Sequence, residues 1–129
     1  MRIVDSVGWI AYLSDAPLAD DYAECIASPG DLVTPTVVLY EVYKHAVRNF
    51  GEQTARFALA AIVKTEVIPL TSGLAVSAAQ VGIHHKLSMA DSIIYATALA
   101  VGATLVTSDA HFEGLPGVEY IPRITGDPR

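Results

Sequence analysis

Short runs of apolar and β-branched residues alternate along the chain with longer segments that have the hydrophobic spacing of helices. The short runs predict five strands, at 2–5, 31–34, 66–68, 103–107 and 118–121. The segments between them predict six helices, at 7–13, 17–27, 37–49, 52–64, 72–82 and 88–101. Strands that alternate with helices over short connections are typical of a parallel sheet covered on both faces. We therefore expect an α/β three-layer sandwich with a central parallel sheet of four or five strands.

Polar residues and one glycine mark the ends of the predicted helices. Thr36 is expected to cap the third helix, and Thr71 or Ser72 the fifth. Gly102 is expected to end the last helix. Residues 84–87 are expected to form a polar loop before it.

Composition limits the fold to one ordered domain. The chain has 129 residues, of which 52% are hydrophobic and 17% charged. Its mean hydropathy is +0.40. A chain of this size and character can bury a core, which excludes a disordered protein. We expect a single domain at 1–122 and a short C-terminal tail at 123–129.

The net charge and the cysteine content argue against further classes of protein and of binding site. The net charge of −6 argues against binding nucleic acid by bulk positive charge. The single cysteine, Cys25, excludes an internal disulfide and a cysteine-rich zinc site, which favours a cytoplasmic setting. The longest apolar stretch, 93–106, is shorter than the roughly 20 residues of a membrane-spanning helix. The apolar excess instead suggests a surface that packs against a second subunit.

Two acids lie beyond the carboxyl ends of predicted strands, which is where the functional sites of open α/β sheets are found. Asp5 ends the first predicted strand, and Asp109 follows the fourth. If these strands are neighbours, the two carboxylates face each other. The alternatives are structural, since Asp5 could cap the next helix and Asp109 could form an Asx turn.

Two further acids lie on apolar helices that enter from the same edge. Glu41 is surrounded by the apolar segment 37–43, and an unpaired buried carboxylate is costly. Its structural alternative is an ion pair with Lys44 or Arg48, or a solvated edge. Asp91 begins the last helix, where it could instead complete a capping box with the serine three residues before it.

Four converging acids would require protons or a cation. Two carboxylates about 5 Å apart repel by about 3 kcal/mol at an effective dielectric constant near 20. Oxygen ligands without cysteine or clustered histidine suit Mg²⁺ or Mn²⁺ rather than zinc. Such an ion binds phosphate oxygens and activates water, so the chemistry indicated is phosphodiester hydrolysis.

The same residues resemble a known family. The Asp5-Ser6 pair, Glu41, the helix start at Asp91 and the segment Thr-Ser-Asp-Ala-His-Phe at 107–112 are similar to the PIN-domain nucleases. The length and the Gly-Ala-Thr-Leu-Val-Thr-Ser-Asp run at 102–109 resemble the single-domain VapC-type toxins. The resemblance covers residues 1 to about 122.

The resemblance implies a PIN-like fold, in which the first and fourth strands are adjacent, and a Mg²⁺- or Mn²⁺-dependent endoribonuclease. It further implies a toxin that is held inactive by a VapB-type antitoxin and that forms a homodimer. On the matching positions, the implied catalytic acids are Asp5, Glu41, Asp91 and Asp109. Ser6 and Thr107 would be supporting polar residues.

The implied mechanism divides these acids into two roles. Asp5 and Asp109 would hold a metal directly or through water, and Asp91 would complete the shell or orient a bound water. Glu41 would position the attacking water or act as a base. Many relatives carry a further acid where this chain has His111, so the number of metals, one or two, stays open.

Lys44 and Arg48 share the helical face of Glu41. They are candidates for contacting RNA phosphates, and the alternative is that they are solvated helix charges.

Other readings were weighed against the nuclease. A haloacid-dehalogenase-type phosphatase requires a second aspartate at position 7, which is Val7 here. A receiver-type phosphoacceptor requires an aspartate at the end of the third strand, where residues 67–69 offer none. A non-catalytic protein-interaction module of the same fold remains the alternative.

Overall fold

The structure is a computed structural model in which residues 1–123 are described. Helices and strands alternate along the chain. The strands are β1 (Arg2–Val4), β2 (Val33–Pro35), β3 (Glu66–Ile68), β4 (Thr104–Thr107) and β5 (Val118–Tyr120). The helices are α1 (Ser6–Leu13), α2 (Ala19–Ile26), α3 (Thr36–Asn49), α4 (Glu52–Ile62), α5 (Ser72–His85) and α6 (Met89–Val101). Single 3₁₀ turns occur at Pro29–Asp31 and Ala110–Phe112.

All strand pairs are parallel. β4 lies between β1 and β5, and β2 pairs with β3. A bridge between Arg2 and Leu32 joins the two sets, which gives the order β3-β2-β1-β4-β5. The prediction of a central parallel sheet flanked by helices, with the first and fourth strands adjacent, is confirmed.

Several boundaries in the first half of the chain differ from the prediction by one or two residues. The second strand begins at Val33, because Pro29–Asp31 forms a 3₁₀ turn, and it extends through Pro35. Thr36 is therefore the first helical residue of α3 rather than its cap, and Pro35 precedes it without a side-chain capping bond. The second helix begins at Ala19 rather than at residue 17.

In the second half, the predicted loop at 84–87 is wrong at its start. α5 continues through His85 and ends at Lys86, which has a left-handed backbone with φ 57°. Two other helix ends are as predicted. The Thr71 side chain accepts a hydrogen bond from the N–H of Leu74, and Gly102 takes the left-handed conformation with φ 69° after α6.

The core lies around the two central strands. Ile3 and Val4 of β1 and residues 105–107 of β4 are buried. The largest fully buried side chains are Trp9, Tyr22, Tyr95 and Phe112. Because β1 and β4 are covered on both faces, the residues that follow them emerge at the carboxyl edge of the sheet. The chain turns there directly into α1 and into the 3₁₀ turn.

The predicted tail at 123–129 falls almost wholly outside the described residues. Arg123 is described, and its Nε donates to the Ser108 carbonyl oxygen at 3.3 Å. Within residues 1–123, none of the helices combines the length and the apolar character that crossing a membrane requires.

Candidate active site

Asp5 forms the floor of the site. It is 2% exposed and stands at the junction of β1 and α1. Its Oδ1 accepts a hydrogen bond from the N–H of Ser6 at 2.8 Å, which caps α1. Its Oδ2 accepts a hydrogen bond from the Thr107 hydroxyl at 2.7 Å. Both carboxylate oxygens are therefore fixed in direction by neighbouring residues.

Thr107 couples the ends of the two central strands. Its buried hydroxyl donates to Asp5 and accepts a hydrogen bond from the N–H of Asp109 at 3.0 Å. The last residue of β4 thus orients one acid and fixes the backbone of a second. The supporting role in the site that was expected of Thr107 from the sequence stays a prediction.

Asp109 and Asp91 form the outer wall. Asp109 Oδ1 accepts a hydrogen bond from the N–H of His111 at 2.9 Å, which is an Asx turn. Asp91 lies in the first turn of α6, where its N–H donates to the Ser88 hydroxyl at 3.3 Å. The His111 imidazole stands beside both carboxylates, 3.2 Å from Asp109 and 3.5 Å from Asp91.

Glu41 closes the site from α3. Its Oε1 is buried and has no hydrogen-bond partner among residues 1–123. The Ser6 side chain, in the first turn of α1, stabilises the charged form of this carboxylate. The ion pair with Lys44 or Arg48 that would explain Glu41 structurally is absent from the described ion pairs of residues 1–123.

The electrostatics show that the four acids share one pocket. The pKa of Asp5 is raised to about 7, mainly by burial and to a smaller extent by the charges of Asp91 and Glu41, against the hydrogen bonds from Thr107 and Ser6. Burial is also the main cause of the raised pKa values of Glu41 and Asp91. The nearby charge of Asp109 raises both. Carboxylates influence one another in this way only at short range.

These residues fit a divalent cation. The donors are carboxylate oxygens, with one imidazole nitrogen at the edge, and ligand atoms of Asp91, Asp109 and His111 lie within 4.8 Å of one another. The unpartnered Oε1 of Glu41 is a buried acceptor that a bound ion or its water would satisfy. A cation would also remove the repulsion that raises these pKa values.

A polar cleft of about 460 Å³ opens beside the acids, along α1 and α3. Lys44 and Arg48 line it together with Ser6 and Glu41, so these basic residues lie beside the acids, as the helical spacing indicated. Two other polar lining residues, His45 and Asn49, were not predicted from the sequence. The signal for His45 was its position four residues after Glu41, on the same helical face.

The structural roles that two of these acids have do not exclude the functional roles predicted for them. Asp5 caps a helix and Asp109 forms an Asx turn, as the structural alternatives proposed. The helix cap and the Asx turn each use one carboxylate oxygen, so both carboxylates still lie at the pocket. All four predicted acids therefore converge at the carboxyl edge of the sheet, with Ser6 and Thr107 between them.

Comparison with known proteins identifies the family. The PIN domain family model matches residues 2–118, nearly the whole chain. The chain belongs to the PIN domain family.

Solved structures place this PIN domain among toxin–antitoxin proteins. A toxin–antitoxin complex from Klebsiella pneumoniae has a chain that is 26% identical, with a TM-score of 0.78, over 94% of this chain and 100% of that one. Mycobacterium tuberculosis VapC20, described as a sarcin-ricin loop cleaving toxin, is 23% identical with a TM-score of 0.77, over 95% and 100% of the two chains. DNA-bound VapBC from Salmonella typhimurium is 17% identical with a TM-score of 0.72, over 95% and 98%.

A search of curated protein sequences found no significant match. The resemblance to PIN domains and VapC-type proteins inferred from the sequence is confirmed by the family model and the structural neighbours. The PIN fold supports a nuclease, and therefore a hydrolase, and the acidic pocket contains side chains that could hold a metal ion.

Proposed function

We propose that this PIN domain is a Mg²⁺- or Mn²⁺-dependent endoribonuclease and the toxin of a VapBC-type pair. The observation that carries the proposal is the convergence of four acids around Asp5, whose burial among like charges raises its pKa to about 7. A pocket of this kind is costly to a protein that only folds or binds a partner. It is suited to holding a cation against a phosphodiester.

Asp5, Asp91 and Asp109 would hold the metal. When bound, the ion would neutralise the acids, activate water and stabilise the charge that develops on the scissile phosphate. Thr107 keeps Asp5 aimed into the pocket, and the Asx turn keeps Asp109 at its edge. Because these side chains are fixed by the fold, little reorganisation is needed when substrate arrives.

Glu41 is the proposed base. Its Oε1 is buried and unpartnered among residues 1–123, and burial raises its pKa above the ordinary value of 4.5. A carboxylate with a raised pKa accepts a proton from the attacking water more readily than an exposed one. Lys44 and Arg48, on the same face of α3, would bind RNA phosphates that flank the cut.

The proposed partners are a VapB-type antitoxin and a second copy of the chain. The neighbour from Klebsiella pneumoniae is a toxin–antitoxin complex, and the neighbour from Salmonella typhimurium is a VapBC assembly. Large apolar side chains stand exposed on the isolated chain, among them Ile83 at 82% and Met89 at 78%. Exposed apolar surface of this kind is typical of proteins that bury it against a partner.

The test is cleavage of defined RNAs by purified protein freed of any partner. Cleavage is expected with Mg²⁺ or Mn²⁺ and not with EDTA. Asp5→Asn should slow it by about a hundredfold or more, because the variant loses a ligand charge while the asparagine still caps α1. Asp20→Asn, an exposed acid at the start of α2, is the matched control and should cleave at the wild-type rate.

Two results would contradict the proposal. One is cleavage that persists at full rate in EDTA. The other is an Asp5→Asn variant as active as Asp20→Asn. A protein that binds a partner but neither cleaves RNA nor gains thermal stability from Mn²⁺ would be the non-catalytic module.

A further inference from the structure

His111 is a basic side chain at the edge of an otherwise acidic pocket. It lies two residues after Asp109, in the 3₁₀ turn Ala110–Phe112. Its Nδ1 is 3.2 Å from Oδ1 of Asp109 and 3.5 Å from Oδ2 of Asp91. The imidazole therefore faces both outer acids at once.

These separations are long for charge-assisted hydrogen bonds between the side chains, and they also suit ligands of one ion. A hydrogen bond from a charged nitrogen to a carboxylate is about 2.7–2.9 Å long. Two ligand atoms each about 2.1 Å from an octahedral ion, at adjacent positions, are about 3 Å apart. One ligand atom each from His111, Asp91 and Asp109 lies within 4.8 Å of the others, so one ion can reach all three.

The backbone at His111 is anchored although its ring is not. The N–H of His111 donates to Asp109, and the next residue, Phe112, is fully buried against the core. The His111 side chain itself is 75% exposed. A fixed backbone with an accessible ring lets the imidazole reach an ion while water and substrate still approach the site.

We propose that His111 Nδ1 is a ligand of the bound ion and makes this site select Mn²⁺ over Mg²⁺. The inference rests on the proposed function, in which Asp91 and Asp109 hold a divalent ion. Imidazole nitrogen is a ligand of first-row transition ions, whereas Mg²⁺ takes oxygen ligands and keeps its waters. A site with one nitrogen and several carboxylates therefore favours Mn²⁺ more than an all-oxygen site does.

The experiment measures metal binding directly, without RNA, on protein from which any histidine tag has been removed. Titration calorimetry gives the Kd for Mn²⁺ and for Mg²⁺, and electron spin-echo modulation of the Mn²⁺-loaded protein detects a directly bound ¹⁴N. The variants are His111→Gln and His111→Asp, which place oxygen at this position. His84→Gln, an exposed histidine of α5, is the matched control.

We expect nitrogen modulation in the wild-type protein and in His84→Gln, and none in the two His111 variants. His111→Gln should weaken Mn²⁺ binding about tenfold and change Mg²⁺ binding less than about twofold. His111→Asp should lower the Mn²⁺/Mg²⁺ affinity ratio by a similar factor while it retains binding.

Tight Mn²⁺ binding without nitrogen modulation in the wild-type protein would overturn the role of His111 and leave the proposed nuclease standing. An unchanged Mn²⁺/Mg²⁺ ratio in both variants would do the same. If the wild-type protein bound neither ion, the proposed metal dependence would fail together with the inference.

Discussion

The amino and carboxyl ends of the sheet differ in how their charged side chains are paired. At the amino end, the Arg2 guanidinium lies 4.0 Å from a Glu119 carboxylate oxygen and donates to the Cys25 sulfur at 3.2 Å. Both partners of this ion pair are about half exposed. At the carboxyl end, four acids meet, and among residues 1–123 the one basic side chain paired with any of them is His111.

The difference shows which charges serve the fold. At the amino end, the Arg2 and Glu119 charges form an ion pair in which both side chains also reach the surface. At the carboxyl end, Asp5 and Asp109 use one oxygen each for a helix cap or a turn, and among residues 1–123 the basic side chain that pairs with Asp109 is His111. We therefore expect the excess negative charge to destabilise the protein until it is neutralised, and the cation of the proposed function would neutralise it.

The largest expected effect comes from removing the Asp5 charge. Its pKa in the folded protein is about 7, against an ordinary value of 3.8. At a pH between these two values, the Asp5 carboxyl group is protonated in the folded state and ionised in the unfolded state. Stability from this group is full below pH 4 and is lost as pH rises to about 7. In EDTA at pH 8, Asp5→Asn should raise the free energy of unfolding by about 1–3 kcal/mol.

Urea unfolding at pH 5 and pH 8 measures this effect. The gain of Asp5→Asn over wild type should shrink at pH 5, and saturating Mn²⁺ at pH 8 should stabilise the wild-type protein but not the variant. Asp20→Asn serves as the exposed control and should follow the wild-type pH dependence. A loss of stability in Asp5→Asn at pH 8 would show that the carboxyl end is not under electrostatic strain.

A smaller effect on the free energy of unfolding is expected from Thr107→Val, because valine has nearly the same shape as threonine. It removes the hydrogen bond to the Asp5 carboxylate and leaves the N–H of Asp109 without its acceptor. We expect a loss of about 1–3 kcal/mol in EDTA at pH 8, together with a higher pKa of Asp5.

Thr97→Val is the matched control, because Thr97 is equally buried but donates to the Ile93 carbonyl oxygen within α6. Its loss should not vary with pH, whereas that of Thr107→Val should be smaller at pH 5, where Asp5 is protonated. If the loss of stability varied with pH in the same way in both variants, the electrostatic role of Thr107 would be contradicted.

The adjacency of the first and fourth strands was implied by the resemblance to PIN domains, and the meeting of the acids follows from it. Parallel strands end at one edge, so acids placed just after β1 and β4 meet there once these strands pair. The sequence could not predict how each oxygen is used. The choice between a cap and a site looked exclusive for Asp5, and only coordinates show one oxygen on Ser6 and the other on Thr107.

The boundaries that were wrong have local causes. The second strand was expected to end before Pro35, but the backbone of Pro35, with φ −61° and ψ 143°, is extended and suits the end of a strand. The two histidines at 84 and 85 looked like loop residues because they are polar. They lie in the last turn of α5, where basic side chains interact favourably with the helix dipole.

The smallest effect should come from the amino end. Arg2→Ala removes an exposed ion pair, and such pairs contribute about 0–1 kcal/mol. The free energy of unfolding should change by that amount, with little dependence on pH between 5 and 8, and RNA cleavage and Mn²⁺ affinity should stay at wild-type values. Glu119→Gln removes the other partner and should give the same result. A metal affinity that moved with either variant would mean that the two ends of the sheet are electrostatically coupled, contrary to the screening expected across the length of the strands.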